Sequence, residues 1–133
     1  MNILLWVLQI LFGIYFTLIG IAHFIVPPGL PPMMSWMYEL PAWLHWFSGT
    51  AEILGGLGLI LPALTRIQTR LTPLAGAGLA LVMVGAVVYH IQRGEVQNIF
   101  FNIVLAAIVA FIAYGRWRLK PLSDRSAAAA SVS

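Results

Sequence analysis

The side chains able to exchange a proton or hold a ligand are few, and most lie where they are costly. His23, His45, Glu52 and His90 fall inside, or at the edges of, long apolar runs, and Glu52 is the only acid inside one. Imidazole and carboxylate together form a pair that takes up and releases protons, and histidine also serves as a metal or hydrogen-bonding ligand. Asn98 and Asn102 add amides one helical turn apart. An ionisable group at the centre of a membrane span costs about 2.5–3.5 kcal/mol on insertion scales, so it faces the bundle and has a partner. Cysteine is absent, which excludes disulfides, thiolate metal sites and a thiol relay carried by this chain alone.

The spacing puts these groups on shared faces. His45, Gly49, Glu52 and Gly56 recur every three or four residues and form one helical stripe, as do Gly13, Phe16, Gly20 and His23. Glu52 lies about 10 Å deeper than His45 at 1.5 Å per residue. The three histidines, Glu52 and both asparagines therefore gather in one half of the membrane, while the other half has almost no polar group beyond Gln9. Turned inward, the stripes place Glu52 at the floor of a pocket open to one face. Simpler roles exist for each group. A histidine near a span end can bond water or a carbonyl, a buried glutamic acid can be purely structural, and asparagines can hold helices together.

The elements that must position these residues are membrane spans. Of 133 residues, 61% are hydrophobic and 8% charged, against about 25% charged in ordinary soluble domains. A spanning helix needs about 20 mainly apolar residues. Four segments qualify, at about 3–26, 42–61, 72–91 and 96–114, and Pro27, Pro62 and Gly115 mark ends. The runs are continuously apolar rather than alternating, which favours helices over a barrel. The fold class expected is an all-α, integral membrane four-helix bundle forming one domain over residues 1–120, with a disordered cytoplasmic tail at 121–133. Residues 3–26 lack a basic leader and a cleavage site, and are expected to remain as the first span.

Arg66, Arg70, Arg116, Arg118, Lys120 and Arg125 share one side of the membrane, while the other holds Arg93 beside Glu95. The positive-inside rule puts both termini in the cytoplasm and the polar half outside. The Pro-rich outer loop, with Trp36, Tyr38, Trp43 and Trp46 in or beside it, suits the headgroup layer, and a short interfacial helix is expected over 33–40. The basic residues sit at span ends with no groove for phosphate, so nucleic acid is not an expected partner.

Several runs resemble the DoxX family of small four-span bacterial membrane proteins. They are Gly20-Ile21-Ala22-His23-Phe24 before Pro27, Ala51-Glu52-Ile53-Leu54-Gly55-Gly56-Leu57-Gly58-Leu59-Ile60-Leu61-Pro62, and His90-Ile91-Gln92-Arg93-Gly94-Glu95, with Asn98 and the close Tyr114-Gly115-Arg116. The likeness extends over about residues 5–118. Many members carry lysine where this chain has His23, so an imidazole here replaces a fixed charge. The resemblance implies a bacterial inner membrane location and a role beside quinol oxidases, thiol-redox complexes or quinone-stress responses.

Four readings follow. In the first, a redox-associated subunit binds a quinone or another small molecule at the outer face. Glu52 exchanges a proton there, His23, His90 and His45 hydrogen-bond the ligand, and Asn98 and Asn102 orient it. No group here carries an electron, so a membrane protein partner or a cofactor is required. The second is a haem or metal site, disfavoured because no His-x-x-His or His-x-x-x-His pair exists. The third is a non-catalytic scaffold or assembly subunit of a larger membrane complex. The fourth is transport by a homo-oligomer, although no inverted repeat is visible.

Overall fold

The fold, described over residues 1–126 by a computed structural model, is all helical, with no strand among those residues. Four long helices follow one another: α1 (Asn2–Ile25), α2 (Ala42–Thr65), α3 (Leu71–Arg93) and α4 (Val96–Tyr114). A 3-10 helix, Pro32–Tyr38, lies between α1 and α2, and a π-helical turn, Gly115–Leu119, extends α4. With 24 residues, α1 is about 36 Å long and crosses a hydrocarbon layer of about 30 Å. The connections reverse the chain each time, so the N-terminus, the 66–70 turn and the last described residues, up to 126, share the terminal end. The 26–41 strap and the Gly94 turn share the loop end. Part of the tail expected from residue 121 lies outside the described residues, at 127–133. Residues 122–125 touch the 66–70 turn: Asp124 accepts from the Thr69 amide, Leu122 O from its hydroxyl, and Ser123 O from Arg66 Nε.

Close glycine contacts build two tight hairpins. A Cβ on Gly20 would stand 2.8 Å from Gly49 O, and one on Gly49 would stand 2.9 Å from Gly20 O. Gly13 and Gly56 repeat this reciprocal approach seven residues away, at 2.9 and 2.6 Å. The α1 and α2 backbones thus touch at two levels, as small residues allow in lipid. In the second hairpin, Gly76 of α3 lies against Val109 O of α4. Between hairpins, contact concentrates toward the terminal end, where Gly55 meets Leu79, Gly58 meets Ala75, and Gly115 meets Leu5. A core of Phe16, Leu59, Leu79, Met83, Leu105, Val109 and Ile112 fills the middle.

Two boundaries differ from the sequence expectation. Helix α2 continues through Pro62 to Thr65, although proline removes a backbone donor and crowds the carbonyl four residues back. That carbonyl is Gly58 O, and the Thr72 hydroxyl of α3 donates to it at 3.0 Å. The next carbonyl, Leu59 O, accepts from Gln9 Nε2 of α1 at 2.8 Å. Both neighbouring helices supply donors where the proline disturbs the ladder, the condition for tolerating proline in a span. Beyond Tyr114, the π-helical turn carries Arg116 inward, leaving it 3% exposed. Its Nε donates to Gln9 Oε1 at 2.6 Å and its Nη1 to Asn2 Oδ1 at 2.7 Å, and its guanidinium lies 5.4 Å from the Trp6 ring centre.

Candidate functional site

Toward the loop end the two hairpins part and enclose a cavity of about 530 Å³. Helix α1 contributes Tyr15, Phe16, Ile19 and His23, and α2 contributes Leu44, Phe47, Ser48 and Glu52. Helix α3 supplies seven residues between Leu81 and His90, and α4 supplies Asn98, Phe101, Asn102 and Leu105. The walls are mostly apolar, and their polar groups are Ser48, the tyrosines Tyr15 and Tyr89, and most of the six that the sequence singled out. Of those six, five line the cavity, and His45 stands behind His23.

Glu52 and His23 meet. The glycine contacts between α1 and α2 bring His23 Nε2 to 3.2 Å from Glu52 Oε2, with both side chains almost fully buried. The approach lacks the alignment of a hydrogen bond, so Oε2 has no directed protein donor. On the other side of the imidazole, His23 Nδ1 lies 3.0 Å from His45 Nδ1. One nitrogen of that contact must donate and the other accept. If His45 donates, His23 keeps its proton on Nε2, facing Glu52. The three groups then form a line from half-buried His45 to buried Glu52, along which a proton can pass by tautomer exchange.

His90 does not join that line. Its Nδ1 lies 3.0 Å from Glu95 Oε1, which also accepts from Arg93 Nε at 2.7 Å. Arg93 pairs in turn with Glu39 of the strap. Burial opposes the charge on Glu95, but the hydrogen bonds from His90 and Arg93 and the Arg93 charge outweigh it, and its pKa falls below the ordinary 4.5. Asn98 Nδ2 donates to Met33 O of the strap at 3.0 Å, and Asn102 Nδ2 donates to Asn98 O at 2.7 Å. The asparagines thus do helix and strap work as well as lining the cavity.

The strap forms a roof, a role that its composition alone did not reveal. Its 3-10 helix buries Met37 completely and sets the Trp36 ring 5.9 Å from His23 and 5.2 Å from His90. Trp36 therefore bridges the two histidines that do not touch each other. Tyr15 and Phe101, which the sequence reading passed over, meet edge to face at 6.3 Å on the α1–α4 side. An aromatic residue in an apolar span carries no signal that separates cavity wall from lipid face.

Among the described residues no group of three His, Cys, Asp or Glu side chains is placed to hold a metal ion, so the metal reading gains no ligand set. A family model described as the DoxX-like family matches residues 7–112. No curated protein and no solved structure matches the chain.

Proposed function

The chain belongs to the DoxX-like family and is a multi-pass membrane protein, and from that premise we propose that it is a redox-associated subunit binding a quinone-type molecule in the loop-end cavity. The observation that carries this reading is the buried Glu52–His23 pair on the wall of a 530 Å³ apolar cavity. A quinone has a flat apolar body and two carbonyl oxygens, and its reduction takes up two electrons and two protons. The aromatic and methionine walls suit the body. His23 and Glu52 exchange the proton at one oxygen, and His45 resupplies it. His90, Asn98 and Asn102 supply hydrogen bonds toward the other oxygen. The electrons come from a partner redox protein or a bound cofactor, since the chain has no cysteine to carry them as a thiol pair.

The location that fits is a bacterial inner membrane, with the cavity toward the outer face. Arg66, Arg70, Arg116, Arg118, Lys120 and Arg125 lie at the terminal end, which the positive-inside rule assigns to the cytoplasm. The direct test is titration of the protein in lipid nanodiscs with a short-tailed ubiquinone and a menaquinone analogue, followed by fluorescence of the native tryptophans. Quenching that saturates, and that weakens about tenfold or more in Glu52→Gln, supports the reading, since losing one buried hydrogen bond to a charged or polar partner costs about 1.5–3 kcal/mol. Absence of saturable binding by either quinone removes it.

A further inference from the structure

Cover over the cavity is uneven, and Phe101, which lines it on the α1–α4 side, is 40% exposed. The strap covers its top, tied down by the Arg93–Glu39 pair and by Asn98 Nδ2 on Met33 O. Buried Phe16, Met83 and Leu105 form its floor. The Tyr15–Phe101 pair crosses the α1–α4 seam. Within each hairpin, glycines bring the helices into backbone contact.

The α2–α3 seam has the more exposed lining residues. These helices touch at Gly55–Leu79 and Gly58–Ala75, toward the terminal end. Farther along, Phe47 of α2 and Leu81 of α3 both line the cavity, yet they are 63% and 74% exposed. Gly85 also lines the cavity and is exposed, and a Cβ built on it would meet no atom within 4 Å. Most other helical glycines are pressed against a neighbouring element, whereas Gly85 leaves a gap. It sits eight residues before Arg93, about 12 Å below the helix end at 1.5 Å per residue, within the hydrocarbon layer rather than at the water.

We infer that the ligand reaches the cavity sideways from the bilayer, through an opening between α2 and α3 framed by Phe47, Leu81 and Gly85. The ligand class is therefore a lipid-dissolved molecule with an apolar body and a small polar head, and water-soluble metabolites are excluded. The head advances to Glu52 and His23 while the body stays among Phe47, Leu81 and Met83. This inference rests on the proposed function only in taking the cavity as the binding site. It holds for any bilayer-dissolved ligand.

The absence of native cysteine allows a clean test. Met83→Cys places one thiol on the buried floor, and Ser48→Cys provides a second, more conservative position. Each protein, in lipid nanodiscs, is reacted with a lipophilic maleimide (pyrene maleimide) and with a charged, water-restricted methanethiosulfonate, and rates are normalised to a free thiol. The expected result is faster labelling by the lipophilic reagent. Adding Gly85→Leu or Leu81→Trp slows it about tenfold, within the range over which access rates vary among related variants. Glu39→Gln, which loosens the roof, leaves the lipophilic rate unchanged. Gly85→Leu should melt no lower than its parent, because nothing occupies that space and leucine is the better helix former. Faster labelling by the charged reagent, no effect of either blocking substitution, or silence of both thiols toward both reagents would overturn the inference. Failure of quinones to bind would leave this labelling pattern intact, so the two readings fail separately.

Discussion

At the level of single residues, the site is a pair and a separate latch. His23 touches Glu52, whereas His90 is turned to Glu95. Double-mutant cycles should separate them. His23→Ala with Glu52→Gln is expected to show a coupling of about 0.5–3 kcal/mol in unfolding from mixed micelles. His90→Ala with Glu52→Gln should be additive within about 0.5 kcal/mol. A comparable coupling in both cycles would contradict the geometry. The latch titrates in a defined direction. Glu95 has its pKa below the ordinary 4.5 in the folded protein, so its contribution is fully present above the unfolded value and is lost as pH falls through the folded one. Hydrogen exchange at the 32–38 amides, corrected for intrinsic rate, should stay level from about pH 7 to about pH 5 and rise only at lower pH. Glu95→Gln should reduce that step. The gathering of His23, His45, Glu52, His90, Asn98 and Asn102 in one half of the bundle was legible from helical spacing. Which histidine meets Glu52 was not, because spacing fixes a residue's face and depth, while the partner depends on which helices pack closest.

At the level of elements, the four helices were readable because each run is apolar for the thickness of a bilayer. The continuation of α2 past Pro62 was not, because its reason lies on two other helices. Thr72→Val removes the donor to Gly58 O and is expected to cost about 1–3 kcal/mol as an unsatisfied buried carbonyl. Pro62→Ala restores a backbone donor, so the same change should cost clearly less in that background. Equal costs in both backgrounds would show that Thr72 contributes by packing alone. The α1–α2 crossing gives a second test. A Cβ on Gly56 would press on Thr17 Oγ1 and lie 2.6 Å from Gly13 O, so Gly56→Ala must push the helices apart. The expected cost is about 1–3 kcal/mol, together with weaker coupling between His23 and Glu52, which the same crossing aligns.

For the molecule as a whole, two hairpins meet at the terminal end and separate at the loop end, so that the cavity follows from where the close contacts stop. The positive-inside rule predicts a direction for it from the basic residues at the terminal end. A C-terminal fluorescent-protein fusion is expected to fluoresce and a C-terminal alkaline phosphatase fusion to be inactive, as for a cytoplasmic terminus; the reverse pattern would invert the cavity's orientation. The sequence pointed to this asymmetry through its basic residues, but it read Arg116 only as a topology signal at a span end. Its burial depends on the π-helical turn after Tyr114, which moves the side chain toward Gln9, and no local residue pattern announces that turn.

The carbonyls near Pro62 also bear on the order of assembly. While α2 lies alone in lipid, Gly58 O lacks its normal backbone donor, whereas Leu59 O, which Ala63 can serve, gains a further donor from a helix made earlier in the chain. Gln9 is already in the membrane when α2 enters, so Leu59 O finds that donor as the first hairpin closes. Gly58 O must wait for Thr72, which emerges from the ribosome seven residues after Thr65. The second helix is therefore a template completed from both sides: one neighbour receives it, and the next is held in register by the group it is required to satisfy.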